Sequence, residues 1–421
     1  MSRQRKPEAA PVAFPEVLRK FWIRSVAAFG LMFLLVWLEQ QHANPGARMT
    51  PLPDPIFGDL TEYFSTFRLV HTAAFFDSTS LVYPAVAYPP FGAAMFAVLY
   101  AFSRPVVAYM ALAGLWMALA WLGVRRALLR EGVGRVVALM FPVSILVASF
   151  PIEGLLQRAN VELFLWIFTA MGMWAYLRGR DDAAAILWGL AAAGKFYPVI
   201  LLVLFLPRKK MRAFGLGVAA FIAATLASAA YFGPTIRVAL QGALHNTFGY
   251  QGVRVAEWGR HDLGTNHSFF TLLKVVVVAL HGSTAHLALP YYACGAVVFA
   301  AVFFGRVRKM PVANQLLAVT LFMVMLPTIS YFYTLTHLYA PWLVLVFLAV
   351  RAAKAGVEIR GLSTTILLFV PVFAAYTLFT FSKIHLWGGV VQGLFLVWLF
   401  VWVVRFPFAE PVVEGVAART I

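Results

Sequence analysis

The sequence predicts an all-α, polytopic transmembrane protein, and its composition, hydropathy and charge pattern support this fold class. Hydrophobic residues make up 62% of the 421 residues and charged residues only 12%, whereas soluble domains carry about 25% charged residues. The mean hydropathy is +0.81, and apolar runs recur from Phe21 to Phe406. These runs lack the sustained polar–apolar alternation that is typical of membrane β-barrels.

The positive charge is concentrated between the apolar runs. The formal net charge of +17 would suggest a nucleic-acid partner in a soluble protein. Here the cations form short clusters that are typical of cytoplasmic loops facing anionic lipid, so membrane lipids and no nucleic acid are expected as partners. The clusters lie at 125–135, 178–180, 208–212, 306–309 and 351–360. The single cysteine, Cys294, excludes an intrachain disulfide and a Cys-based metal site.

If every basic cluster faces the cytoplasm, the chain makes about ten net crossings with both termini inside. The predicted spans are 21–38, 106–124, 136–150, 161–177, 213–232, 287–304, 311–329, 338–350, 362–381 and 387–404. Residues 1–20 are expected to form a disordered cytoplasmic tail and residues 407–421 a second cytoplasmic tail. Residues 21–406 then form one membrane unit with outer loops at 39–88 and 233–268.

Two apolar segments do not fit a simple crossing. Residues 89–102 are short and begin with Pro89-Pro90, so they are predicted to form a re-entrant or juxtamembrane helix. Residues 183–206 have basic residues at both ends and are interrupted at 194–198, which predicts a broken hairpin. Non-helical backbone at membrane depth is tolerated only beside protein or a water-filled cavity, so this break is expected to line a site.

Ionisable groups in or near a membrane are costly and therefore mark candidate sites. Asp59, Glu62 and Tyr63 are expected to share one face of a helix in the first outer loop. The other candidates are Arg158, Asn160 and Glu162 at the outer end of a span, Lys195 in the broken hairpin, Asn266 and His267, and His337. The predicted topology places all of them on one side of the membrane.

This set of side chains suits transfer from a lipid-phosphate donor. A carboxylate can act as general base on an acceptor hydroxyl, and Arg, Lys and His can stabilise charge on a departing phosphate. The sequence contains no P-loop or Rossmann glycine motif, so soluble nucleotide recognition has no support. The residues alone leave open a membrane enzyme or a transporter with an outer polar site.

Each candidate also has a structural explanation. Asp59 could cap a helix, and Lys195 could extend its ammonium to the membrane interface. Arg158 and Asn160 could satisfy carbonyl groups at a helix end. Glu62 could be a solvated residue on the face of a helix, and the two histidines could be satisfied by neighbouring groups.

An ordered series of motifs resembles glycosyltransferase family 87, whose members are polyprenyl-phosphate-mannose-dependent mannosyltransferases of the C-type glycosyltransferase fold. The matching elements are Asp59 with Tyr63, Tyr83, Tyr88-Pro89-Pro90-Phe91, Arg158 to Glu162, Gly189 to Pro198 around Lys195, Asn266-His267-Ser268, and His337. Ala159 stands where the family usually has glycine. The order holds from about Asp59 to Trp342, which is most of the chain.

The resemblance implies inverting transfer of a hexose, mannose first, from a polyprenyl-phosphate donor to a hydroxyl of a glycolipid or glycan acceptor. Asp59 would be the base, and Lys195, Arg158 and His337 would bind the donor phosphate. The sugar and acceptor pocket would contain Glu62, Tyr63, Tyr88, Asn160, Glu162, Asn266 and His267. No metal or cofactor is expected.

The resemblance also suggests a location in a bacterial cell (inner) membrane, with the active site on the periplasmic side. Two other functions remain open. A polar cavity among broken helices is also typical of transporters, so the chain could move a lipid-linked glycan across the membrane. It could also be an outer-face polymerase or ligase that transfers a whole oligosaccharide.

Overall fold

A computed structural model describes residues 13–43, 57–76, 86–256, 260–284, 286–374 and 387–409. About 80% of the structure is helical. The α-helices are α1 (Glu16–Ala43), α2 (Gly58–Glu62), α3 (Pro90–Tyr100), α4 (Pro105–Arg130), α5 (Arg135–Val147), α6 (Phe150–Arg158), α7 (Glu162–Leu177), α8 (Asp181–Gly194), α9 (Met211–Phe232), α10 (Ile236–Ala256), α11 (Arg260–Thr265), α12 (Phe269–Ala279), α13 (Ala288–Gly305), α14 (Val312–Met325), α15 (Tyr339–Ala355), α16 (Leu362–Ala374) and α17 (Gly388–Arg405). Short 3₁₀ helices lie at Thr66–Leu69, Ala73–Phe76, Tyr197–Phe205, Val307–Lys309 and Phe332–Leu338.

The helices fit a polytopic membrane protein. Within the described ranges, the helical segments long and apolar enough to cross a membrane are Pro105–Arg130, Met211–Phe232, Ala288–Lys309, Phe332–Ala355 and Gly388–Arg405. A sixth crossing is obtained if the bent pair α5–α6 counts as one span. The fold class is therefore confirmed at the level of an all-helical membrane protein, and the count of ten crossings stays a prediction.

The bundle has a clear inside and outside. Nearly every side chain of α14 is buried, and most of the Phe332–Ala355 segment is buried as well. By contrast, few residues of α4 and α13 are buried, as in helices at the edge of a bundle that lipid surrounds. The polar groups described below lie beside the buried α7, α8 and α15 rather than the exposed helices.

The predicted interruption of the 183–206 segment is present. Helix α8 ends at Gly194, Lys195 adopts an extended conformation (φ −147°, ψ 140°), and the 3₁₀ helix Tyr197–Phe205 follows with Pro198 in its first turn. Proline supplies no backbone N–H donor and fixes φ, which suits the start of a new helical segment.

A glycine allows α8 to pack closely on α9. A Cβ added at Gly189 would lie 2.1 Å from the carbonyl oxygen of Gly217, which belongs to the backbone of α9. Only a residue without a side chain permits this approach. The Gly189 of the glycine-to-lysine motif is therefore explained by helix packing, which places the lysine at the end of the same helix.

Helix α3 is short, as expected for the segment that begins at Pro89. Its 11 residues extend about 16 Å, compared with about 30 Å for the hydrocarbon core of a bilayer. The second proline of the pair starts the helix, with Pro89 as the N-cap residue. A helix of this length is too short to cross the bilayer alone, and its re-entrant or juxtamembrane position stays a prediction.

The predicted span 136–150 corresponds to α5, and a second helix that was not predicted, α6, follows it directly. Helices α5 and α6 meet at a bend of 53°, and Ser149 caps α6 by accepting a hydrogen bond from the Ile152 amide at 3.2 Å. A side-chain acceptor at this position satisfies one of the unpaired amide groups of a helix start. The bend makes α6 a separate helix that ends at Arg158.

The predicted outer loop 233–268 contains α10 and α11. Ala239, Ala243 and Asn246 form the buried side of α10, at the spacing of one helix face. The Asn246 amide donates to the Phe76 carbonyl at 2.8 Å and joins α10 to the first outer segment. Helix α12 follows at Phe269–Ala279, where the sequence predicted no separate span.

Candidate active site

Asp59 lies beside the end of α6. The backbone amide of Phe57 donates to the Gln157 carbonyl at 2.5 Å, which holds α2 against this end. The Asp59 carboxylate accepts hydrogen bonds from the Arg158 guanidinium and the Asn160 amide. The side chain of Asp59 is only 8% exposed, whereas that of Arg158 is 37% exposed. The guanidinium is thus the accessible part of this ion pair.

The turn after α6 presents Asn160 to the site. Ala159 ends the helix in the left-handed conformation, with φ +48°, which glycine adopts more readily than alanine. The family's usual glycine at this position therefore has a conformational reason. A side chain of α4 also holds this turn, since the Tyr109 hydroxyl lies 3.0 Å from the Leu155 carbonyl oxygen and 3.3 Å from that of Asn160.

Asn160 connects two ion pairs. Its amide nitrogen donates to Asp59 and, at 3.0 Å, to the Tyr88 hydroxyl. Its amide oxygen accepts from the Lys195 ammonium at 3.1 Å and from the Glu162 backbone amide at 2.9 Å. One side chain thereby links the Arg158–Asp59 pair with the Lys195–Glu162 pair, and all its donor and acceptor sites point into the cluster.

Glu162 is the buried centre of the second pair. Its side chain has no exposed surface, and one carboxylate oxygen lies 2.5 Å from the Lys195 ammonium. The other oxygen accepts from the Tyr197 hydroxyl and lies 2.6 Å from Nε2 of His337. A buried carboxylate is tolerated only when it is paired and hydrogen-bonded, and Glu162 meets both requirements.

His337 is oriented from both sides of its ring. Glu162 and Tyr197 lie within 2.9 Å of Nε2, and the Thr169 hydroxyl lies 2.7 Å from Nδ1. The carboxylate can only accept, so the contact with Glu162 places a proton on Nε2. The residue comes from the 3₁₀ helix Phe332–Leu338, which packs against the start of α7.

Aromatic rings surround the Lys195 ammonium. The Tyr88 ring centre lies 5.6 Å from Nζ and the Tyr333 ring centre 5.4 Å, within the range of a cation–π contact. The Lys195 side chain is 18% exposed. The lysine is therefore held at the edge of the cluster, between the buried Glu162 and two tyrosine faces.

Glu62 and Tyr63 are not at the centre of this cluster. Glu62 is exposed although Asp59, three residues earlier, is buried, so the expected common face is not formed. Tyr63 packs edge to face on Tyr88, with ring centres 5.7 Å apart. It thus contributes to the wall beside the cluster, while Glu62 points away from the buried interior. The Tyr83 match lies outside the described residues.

Asn266 and His267 form a separate buried cluster. The Asn266 amide donates to the Thr328 carbonyl at 2.9 Å, and its oxygen accepts from the Ser330 amide at 2.9 Å. His267 has no exposed surface, and its Nε2 lies 3.1 Å from the Ser330 hydroxyl. These hydrogen bonds hold the segment around Thr328 and Ser330, which leads into the 3₁₀ helix carrying His337.

Sequence reasoning missed the polar groups Tyr197, Thr169 and Tyr333. Tyr197 follows Lys195 by two residues in the interrupted segment, so its place in the motif could have identified it. Thr169 lies seven residues after Glu162, on the same face of α7. Tyr333 gave no comparable signal, because several tyrosines occur near the ends of apolar runs and such residues usually belong to the interfacial belt.

The cluster combines two carboxylates, two permanent cations and one histidine. Each carboxylate is paired with one cation, so the formal charges of Asp59, Glu162, Arg158 and Lys195 cancel. The exposed guanidinium and the ring-bounded ammonium could hold an anion, and the carboxylates could accept a proton. The arrangement is therefore chemically suited to a group transfer in which an anionic leaving group departs.

The comparisons with known proteins agree with this chemistry. The model of glycosyltransferase family 87 matches residues 87–328, which is more than half of the chain. The match includes Arg158, Asn160, Glu162 and Lys195. Asp59 precedes the matched range and is hydrogen-bonded to Arg158 and Asn160 within it. A search of curated proteins found no match. On the strength of the family match, the chain belongs to glycosyltransferase family 87 and is a membrane-embedded glycosyltransferase.

Proposed function

We propose that the chain transfers a hexose, mannose in the first place, from a polyprenyl-phosphate donor to a hydroxyl of a glycolipid or glycan acceptor, with inversion at the anomeric carbon. The observation that carries the proposal is that Asn160 connects two ion pairs, Arg158–Asp59 and Lys195–Glu162. Family membership supports glycosyl transfer, and the lipid-phosphate donor is the one that the resemblance implies, with the two cations as support.

In this proposal Asp59 removes the proton from the acceptor hydroxyl. The oxygen of that hydroxyl forms the bond to the anomeric carbon while the bond from this carbon to the donor phosphate oxygen breaks. Each Asp59 oxygen accepts one described hydrogen bond, and a carboxylate oxygen has a second lone pair. The base is thus held in one orientation and keeps the capacity to accept a proton.

Arg158 and Lys195 are the proposed ligands of the departing phosphate. Arg158 is the more exposed member of its ion pair, and a guanidinium can bind two phosphate oxygens at once. Lys195 adds a compact positive charge that stabilises the developing phosphate monoester. His337 shares the Glu162 carboxylate with Lys195, and in this proposal its Nε2–H can donate to a phosphate oxygen.

Glu162 has a different role from the one that the resemblance implies. Its carboxylate is fully buried and accepts from Lys195, Tyr197 and His337. A group in this position holds other side chains rather than contacting a sugar, and we assign it to the positioning of Lys195 and His337. The same reasoning assigns Asn266 and His267 to positioning of the segment before His337.

The proposed location is a bacterial inner membrane with the site on the periplasmic side. Helix α7 leads from Glu162 to Leu177, about 24 Å away along its axis, where the basic residues of 178–180 begin. If these residues face the cytoplasm, as the charge rule indicates, the polar cluster lies at the opposite surface. The proposed ten crossings and cytoplasmic tails are consistent with that orientation.

The direct test uses the full-length protein, purified in detergent, with defined donors. Polyprenyl-phosphate mannose, polyprenyl-phosphate glucose and GDP-mannose are each supplied with a glycolipid extract, and products are detected by mass spectrometry. The proposal expects a product one hexose heavier than the acceptor with a polyprenyl-phosphate donor only. Activity with the nucleotide sugar alone would contradict it.

The same assay separates the alternatives. A polymerase or ligase would add an oligosaccharide to the acceptor in one step, which the product mass reveals. A transporter would move a fluorescent lipid-linked sugar across a vesicle membrane without forming a new glycosidic bond. Family membership favours transfer chemistry over transport, so the single-hexose product is the expected result.

A further inference from the structure

The end of the bundle opposite the polar cluster gathers basic residues from two turns. Helix α7 leads down to Arg178 and Arg180, and α8 returns to the site at Gly194. The 3₁₀ helix Tyr197–Phe205 then leads away again, towards residues 208–212. Ion pairs join the two turns, Lys210 to Asp181 at 3.2 Å and Arg212 to Asp182 at 3.1 Å. The broken hairpin therefore returns both basic clusters to one place.

Four exposed cations remain after these ion pairs are formed. Within the described part of the chain, no carboxylate lies within 4 Å of the charged groups of Arg178, Arg180, Arg208 or Lys209. We call these four residues the basic ledge. Since Asp181 and Asp182 are already paired, the ledge presents uncompensated positive charge at the surface.

Aromatic rings hold the arginines of the ledge in place. The guanidinium carbons of Arg178 and Arg180 lie 5.5 and 5.6 Å from the centre of the Trp174 ring. That of Arg208 lies 4.5 Å from the Tyr176 ring. Stacking on a ring restricts the guanidinium but leaves its N–H donors free for an anion. These arginines are thus more ordered than flexible surface cations.

The backbone of the ledge is strained at Lys209. This residue has φ +54°, in the left-handed region that costs a residue with a side chain about 1–2 kcal/mol. The Lys209 and Lys210 amides donate to the Leu206 and Phe205 carbonyls, as in a helix-terminating turn where glycine is usual. The position thus carries a lysine where the local backbone favours glycine.

A polar cleft and an apolar groove meet beside the ledge. The cleft, of about 560 Å³, is lined by both ion pairs and Arg180. The groove, of about 250 Å³, has Arg208 at one side and apolar side chains of Leu177, Val344 and Leu348. Gly179 lines both cavities. At Gly179 a polar surface with Arg180 meets an apolar surface with Arg208 at its side. This combination suits an amphiphilic ligand that carries an anionic group.

We propose that this end of the bundle binds an anionic phospholipid. Its headgroup phosphate lies on the basic ledge, and the upper part of one acyl chain lies in the groove. Cation clusters at a membrane surface attract anionic lipid, but the stacked arginines, the strained lysine and the adjoining groove together make a specific site. The binding requires no glycosyl transfer and is independent of the donor and acceptor proposed above.

The test follows thermal unfolding of the full-length protein in neutral detergent during titration with phosphatidylglycerol. Phosphatidylcholine with the same acyl chains and inorganic phosphate are titrated in parallel. Saturable stabilisation is expected with phosphatidylglycerol alone. Equal stabilisation by phosphatidylcholine would show that the headgroup charge is not recognised. Equal stabilisation by inorganic phosphate would assign the ledge to a soluble anion, and either result would overturn the lipid site.

Amino-acid substitutions test whether the basic ledge itself binds the phospholipid. The double variant Arg208→Gln/Lys209→Gln is expected to bind phosphatidylglycerol about tenfold more weakly, since charge-assisted hydrogen bonds are lost. The matched control Arg126→Gln/Arg130→Gln removes the same charge from another exposed basic cluster and should bind as the wild type does. An equal loss in both variants would show general electrostatic attraction and overturn the site.

Lys209→Gly provides a variant that folds without difficulty. Glycine accepts φ +54° freely, so the lipid-free protein is expected to be as stable as the wild type or more stable. Its affinity for phosphatidylglycerol should nevertheless fall several-fold, because one ammonium of the ledge is missing. Unchanged lipid affinity in a variant of equal or higher stability would remove Lys209 from the site and contradict the proposal.

Discussion

The Lys195 ammonium lies 2.5 Å from a carboxylate oxygen of Glu162, although the two residues are 33 positions apart in the chain. Glu162 begins α7, and Lys195 follows the last residue of α8. The contact exists because α7 and α8 form an antiparallel pair in which the start of one lies beside the end of the other. Asn160 then extends the contact to Asp59.

Replacing the proposed base should abolish transfer without unfolding the protein. Asp59→Asn preserves the size of the side chain but cannot accept the acceptor's proton, so we expect transfer to fall at least about 100-fold. The measurement is the rate of hexose transfer by purified enzyme, with thermal unfolding to confirm the fold. Asp182→Asn makes the same chemical change at the far end of the bundle and should retain activity. An Asp59→Asn enzyme with full activity would refute the assignment.

Loss of the Glu162 charge should affect stability as well as activity. Glu162→Gln leaves the Lys195 charge and the His337 ring without their buried carboxylate, and breaking a buried ion pair costs about 3 kcal/mol or more. The melting temperature in detergent should therefore fall clearly. Asp182→Asn breaks the solvent-exposed pair with Arg212, and surface pairs contribute only about 0–1 kcal/mol. Equal shifts in the two variants would show that Glu162 is not a buried structural centre.

The contact between α8 and α9 should not tolerate a side chain at position 189. In Gly189→Ala the new methyl group would meet the Gly217 carbonyl at 2.1 Å, and the two helices would have to separate. Overpacking of this kind costs about 1–3 kcal/mol, and the shift of α8 should also reduce transfer through Lys195.

Gly215→Ala is the matched control, because nothing lies within 4 Å of a Cβ at that position of α9. Its higher helix propensity should leave the protein as stable as before or slightly more stable. Thermal unfolding of both variants gives the comparison. A Gly189→Ala protein as stable as the control would contradict the close packing.

His267 should make the fold sensitive to acid. This residue precedes α12, and complete burial lowers its pKa from 6.5 to about 3. Below pH 6.5 the unfolded chain binds a proton that the folded chain excludes, so stability falls as the pH falls towards 3. Its contribution amounts to about 2 kcal/mol between pH 8 and pH 5.

The measurement is the melting temperature at pH 8, 7, 6 and 5 for the wild type and His267→Asn. The variant cannot titrate at this position, so its stability should decline less steeply over the range. Other groups titrate identically in both proteins, and the difference between the two curves isolates His267. Parallel curves would show that His267 is not held neutral by burial.

Much of the fold and part of the site could be predicted from the sequence. The interruption at 194–198 was evident because glycine and proline bracket a lysine within an apolar run, and each has a local conformational effect. Lys195 was identified as a cation within an apolar segment, and Asp59, Arg158, Asn160 and His337 were identified by their places in the predicted outer segments and by the ordered motifs. Helix α6 and its bend from α5 were not predicted, since the polar residues after residue 150 were taken for an outer loop and the Ser149 cap is visible only in the structure. Helix α10 was not predicted because its many polar residues are typical of a loop. Its buried residues form an apolar cluster with Phe76 and Phe232, which are distant in the chain.

Composition and local order are enough to predict a helical membrane protein, the positions of its basic clusters and the few polar residues that interrupt its apolar runs. These are properties of composition and local order, and they need no partner from elsewhere in the chain. Three features became visible in the folded chain: Asn160 joins two ion pairs, Glu162 is buried among Lys195, Tyr197 and His337, and His267 holds a separate segment. The reason is that burial and pairing depend on helices distant in sequence, whose contacts settle which polar side chains face one another and which face the solvent.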